Sequence, residues 1–166
     1  MKDFPQPQID QTRAYLESQK FPLEQITVNG KLFSYYVIPQ TLNPALPDFA
    51  LRMTHSDETH NVNGIFGVSD SVPQVLRPYW VMHEIIEFTQ IGIEKKGRCA
   101  NTERIVLEEI PTGLKKEFTE RRISFFTQLC KFFEKDIDEK KGNYTIDDLT
   151  EAEASLLFLQ TVQKLL

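Results

Sequence analysis

Residues 72–90 restrict the fold more than any other segment, because their apolar side chains leave almost no polar face. Placed on a helix, Val81, Ile85 and Phe88 point one way, and Val75, Met82 and Ile86 a second. Trp80 and the following Ile91 point a third. A surface helix needs only one apolar stripe, so a helix apolar nearly all round belongs in the interior. The rest of the chain must cover it on most sides. Yet the same segment carries His83, Glu84 and Glu87. An imidazole and a carboxylate in such surroundings are costly unless each finds a partner. The candidates are a metal ion, a hydrogen-bonded charge, or water in a cleft.

The flanking sequence indicates what does the covering. A first helix is expected over about Ile9–Gln19, stopped by Pro22. Ile26–Val28 and Lys31–Ile38 then flank Asn29-Gly30, a pair that accepts the positive φ angles of a two-residue hairpin. Thr41–Pro47 reads as a proline-marked connection. Phe49–Met53 and Ile65–Val68 read as two more strands, joined by a polar loop running from His55 to Asn61.

After that the pattern is helical. The central helix is predicted from Pro73 to Gln90, with Asp70 or Ser71 as its cap. Another is predicted over Cys99–Ile110, and a long amphipathic one over Leu114–Ile137. The long helix has Phe118, Ile123, Phe125, Phe126, Leu129, Cys130 and Phe133 as its apolar stripe. Thr150-Glu151-Ala152-Glu153 has the form of a capping box opening a last helix. Strands first and helices afterwards imply an α+β fold. It would be a single domain, with a small antiparallel sheet from the N-terminal half packed against a C-terminal helical layer.

At 166 residues the chain can bury a sizeable core without disulfides or structural metals. Its formal net charge of -5 argues against a general phosphate-binding surface, so no nucleic-acid partner is expected. The start, Met1 to Pro5, has no apolar run of signal-peptide length, and no stretch reaches the length of a membrane span. Two cysteines, Cys99 and Cys130, in different contexts fit a reduced, cytoplasmic protein. The expected partner is a small molecule or another protein. The seven glycines form no phosphate loop, and no Gly-x-Ser-x-Gly elbow occurs. Lys95-Lys96-Gly97-Arg98 and Lys115-Lys116 read as short solvated basic patches.

Positions three, four and seven apart align on a helix, which puts His83, Glu87 and Gln90 on one face with Leu76 and Tyr79 nearby. The string His83-Glu84-Ile85-Ile86-Glu87 resembles the active-site helix of zincin metallohydrolases, where His-Glu-x-x-His holds zinc through two histidines. The resemblance implies Zn2+ or another divalent metal, His83 as a ligand and Glu84 as the base that activates a bound water. Glu87 stands where the family has its second histidine, and a carboxylate can also bind zinc. A third ligand would come from Cys99 or Glu103, four apart on the next helix. The alternative is the loop pair His55 and His60 with Asp57 and Glu58 between them.

Each residue also has a reading without chemistry. His83 and Glu87 can form a structural pair with Arg121 or Arg122 in a non-catalytic binding or adaptor module. Glu84 can be a salt-bridged or solvated helix position, and His55 and His60 can belong to a solvated loop. Tyr79 and Arg121 are candidates for contact with a ligand, the arginine for an anionic one. Cys130 reads as core packing. Arg98 and a helix start would lower the pKa of Cys99.

Overall fold

The computed structural model describes residues 3–56 and 62–166. Helix α1 (Gln6–Ser18) precedes the hairpin strands β1 (Leu23–Val28) and β2 (Lys31–Ile38), and then β3 (Ala50–Ser56) and β4 (Val62–Ser69). The helical half comprises α2 (Arg77–Ile86), α3 (Arg98–Glu109), α4 (Thr112–Asp138) and α5 (Ile146–Gln163). This is an α+β fold, as the order of strands and helices implies. No helix among the described residues is long and apolar enough to cross a membrane.

The sheet order is β1-β2-β4-β3. The Asn29-Gly30 turn takes positive φ at both residues and keeps β1 and β2 antiparallel neighbours. The connection from β2 to β3 is long enough to step over one strand position, so β4 enters between them. It pairs antiparallel with β3 but parallel with β2, which makes the sheet mixed rather than purely antiparallel.

Strand alternation then divides the side chains. Ile26, Val28, Tyr35, Val37, Phe66 and Val68 face α2, while Tyr36, Met53 and Ile65 face the side covered by α1. All nine are buried.

α2 lies between the sheet and the helices that follow it, touching β1, β3 and β4 on one side and α3 on another. Trp80 is fully buried, donates to the Asp48 carbonyl at 2.9 Å, and meets the edges of Phe118 and Phe125 from α4. The central, buried helix is therefore as expected, but its limits differ. Residues 73–76 form a turn, and the regular helix starts at Arg77 with Pro78 in its first turn. Asp70 and Ser71 do not cap it. Asp70 accepts the Gln40 amide, and the Ser71 hydroxyl joins Gln40 and Asp48. At the other end the helix widens into a π turn, Glu87–Ile91, in which the Gly92 amide reaches back to the Glu87 carbonyl at 2.9 Å.

The last helix starts earlier than Thr150. Its capping box is Thr145 with Asp148, because Thr145-Ile-Asp-Asp148 offers the same pairing one turn sooner. Thr150 is inside the helix and bonds back to the Ile146 carbonyl. Leu159 is buried, whereas Leu157 and Leu165 are exposed. The buried face of α5 also includes Glu151 and Ser155.

Candidate metal centre

His83 and Glu87, one turn apart on α2 and its π turn, both face away from the sheet toward α3. Each is only 2% exposed. His83 Nε2 lies 2.9 Å from Glu87 Oε2 and 3.5 Å from Cys99 Sγ, which α3 brings in from its first turn. One ligand atom from each of these three residues lies within 4.8 Å of the others, so the group could hold a metal ion.

Around tetrahedral zinc, bonds of about 2.0 Å to nitrogen and oxygen and about 2.3 Å to sulfur set N and S about 3.5 Å apart, and N and O about 3.3 Å apart. The N–S separation of 3.5 Å already meets that figure. The N–O separation of 2.9 Å is that of a hydrogen bond and must widen by about 0.4 Å to admit a cation. Glu87 Oε1 is buried without a hydrogen bond, leaving spare acceptor capacity beside the three ligand atoms.

Glu103 lies on the opposite side of the ring. Its Oε1 faces His83 Nδ1 at 2.9 Å, so it does not join the same ligand set. It occupies the place where an outer carboxylate orients a metal-binding histidine. Glu103 is itself held by Arg122, through Nε at 2.9 Å and through Nη2. The Arg122 guanidinium is enclosed by Trp80, Phe125 and Phe126 at 4.7, 4.9 and 4.8 Å from its carbon. On the other flank Arg98 Nε approaches Glu87 Oε1 at 3.7 Å, and Arg98 Nη2 pairs with Asp147 at 3.0 Å. Arg98, Glu87, His83, Glu103 and Arg122 thus form a buried chain of alternating charge.

The electrostatics follow from that alternation. Burial by itself would lower the His83 pKa, but its acidic neighbours, with the Glu103 carboxylate among them, outweigh it and hold the imidazole well above its ordinary value. Burial pushes Glu103 up, yet Arg122 and His83 bring it down to about 2. Glu87 is pushed up by burial and brought below the usual range by its bond to His83. Cys99 goes the other way: burial raises it, so the metal-free network holds a neutral thiol. The expected lowering by Arg98 fails because that guanidinium is committed to carboxylates.

The other candidates lie elsewhere. Glu84 turns toward the sheet, 3.7 Å from Arg52 Nε, and burial raises its pKa. Tyr79 packs at the edge of the core. Arg121 bonds to Asp48 and to the Ser71 carbonyl, and neither residue joins the cluster. His55 bonds through Nδ1 to the Phe4 carbonyl at 2.8 Å, while His60, Asp57 and Glu58 lie outside the described residues.

Arg98 was expected beside Cys99 but not against Glu87, and Glu151 was expected in a capping box but not behind Cys99. Arg98 belongs to a basic run whose Lys95 and Lys96 are exposed, and its own burial leaves no mark in composition. The choice of Arg122 over Arg121 was available from spacing, since 118, 122, 125 and 126 share a helix face. Comparison of the chain with protein-family models, with curated proteins and with solved structures gives no match.

Proposed function

We propose that this protein binds one divalent transition-metal ion, zinc foremost, through His83, Glu87 and Cys99, in a closed site that ties α2 to α3. The observation that carries the reading is the convergence of those three ligand atoms within 4.8 Å. A neutral imidazole, a carboxylate and a thiolate together bring two negative charges, which balance a divalent ion. Glu103 and Arg98 already have charge partners, so the balance does not depend on them. Loading displaces the Nε2 proton of His83 and the proton of Cys99, since metal ligands bind deprotonated.

A structural role suits the burial better than hydrolysis does. Catalytic zinc keeps an open position for water. Here His83 and Glu87 are sealed, and the carboxylate that would activate a water is engaged with Arg52. The reduced cytoplasm inferred from the cysteines would keep Cys99 available as a thiol.

The 2.9 Å contact between His83 and Glu87 favours a second reading. In it the chain of charges is complete without metal, and the protein is a non-catalytic binding module. Zinc reconstitution followed by dialysis and elemental analysis separates the two. The first reading expects one zinc per chain, lost in folded His83→Ala and Cys99→Ser. A folded wild-type protein that retains no stoichiometric metal eliminates it.

A further inference from the structure

α3 begins without a side-chain cap of its own. Its N-cap is Gly97, held at φ 75°, a conformation open to glycine because it lacks a Cβ. The first amides of a helix still need acceptors. They find one 54 residues further along the chain. Glu151 of α5 is buried and accepts the Gly97 amide on Oε2 at 3.0 Å and the Cys99 amide on Oε1 at 3.4 Å. Its Oε1 also lies 3.5 Å from Arg98 Nη1. One carboxylate therefore holds the backbone on both sides of Arg98, and with it the root of the Cys99 side chain. α5 supplies no atom to the His83–Glu87–Cys99 group, yet it fixes where the sulfur stands.

We propose that Glu151 is a positioning residue that makes this a thiolate site, selective for borderline-soft cations such as Zn2+ and Co2+ over Mg2+ and Ca2+. The proposal rests on the metal-binding reading above. Sulfur is the softest of the three donors, and soft donors discriminate against hard cations. If α3 shifts at its first turn, the sulfur withdraws and one imidazole and one carboxylate remain. Such a pair holds metal weakly and with little preference.

Cobalt titration tests this, because a cobalt–thiolate bond gives a sulfur-to-metal charge-transfer absorption that a histidine–carboxylate site lacks. The proteins compared are wild type, Glu151→Gln, Glu151→Ala, Cys99→Ser and Leu159→Ala. Leu159→Ala damages the packing of α5 at a fully buried residue outside the site. Glu151→Gln keeps the size of the side chain but points a donor at one of the two amides.

We expect the band in wild type and in Leu159→Ala, and its loss in both Glu151 variants, whose spectra then match Cys99→Ser. Cobalt affinity should fall about 10- to 100-fold in the Glu151 variants, the usual effect of removing an outer support. Glu151 variants that keep the wild-type band overturn the positioning role and leave the metal site standing. Equal loss of the band in Leu159→Ala also overturns it, since general loosening of α5 would then suffice. A wild-type protein that gives no band refutes the metal reading and this one together.

Discussion

On one side α2 meets Ile26, Val28, Val37, Phe66 and Val68 of the sheet; on the other it sends His83 and Glu87 to meet Cys99, Glu103 and Arg98. Both interiors exclude water, but they respond differently to damage. An apolar contact is non-directional, so losing part of one costs area and leaves a small void. A charge in the alternating chain is tolerable only while its neighbour is present. Removing one partner strands the other in a medium that cannot solvate it. The apolar contacts of the sheet side therefore degrade by degrees and the charged side fails in whole links.

The largest effect that would test this contrast comes from Arg122→Ala. It takes from the buried Glu103 its guanidinium partner, leaving only His83 to face it, and should cost about 3–5 kcal/mol of stability, read from urea unfolding. Removing Glu103 as well should cost clearly less than the sum of the two single losses. Additive losses would break the picture of linked charges. Next in size is the response to metal. Zinc at 100 times its dissociation constant should stabilise the fold by about 2.7 kcal/mol, an increment absent in Cys99→Ser. On the sheet side, Ile26→Val removes one methylene from a side chain that faces α2 and is 8% exposed, and should cost about 0.5–1.5 kcal/mol. A loss as large as that of Arg122→Ala would erase the distinction.

The smallest effect concerns the thiols. Burial raises Cys99 and lifts Cys130 to about 11. Neither should react readily with a disulfide reagent at pH 8 until the protein is unfolded. Zinc should slow Cys99 further and leave Cys130 unchanged. Rapid native reaction at Cys99 would mean that α3 opens easily at its first turn.

Much of the fold was legible because it depends on local rules. The hairpin at Asn29-Gly30, the buried central helix and the Phe stripe of α4 each follow from turn chemistry or from periodicity within one segment. The insertion of β4 between β2 and β3 was not legible, since a connection of that length permits more than one strand order. The true start of α5 was missed because two segments, Thr145–Asp148 and Thr150–Glu153, have the same capping pattern. Only packing chooses between them.

The sequence alone determined that His83 and Glu87 share a face of a helix too apolar to leave them unpartnered. Periodicity and the cost of desolvation suffice for that. Only the tertiary structure decided which groups answer them: Cys99 beside Nε2, Glu103 beside Nδ1, Arg98 and Arg122 at the ends, and Glu151 behind Cys99. These come from three other helices, and a charge partner is chosen by distance in space, which chain order does not encode.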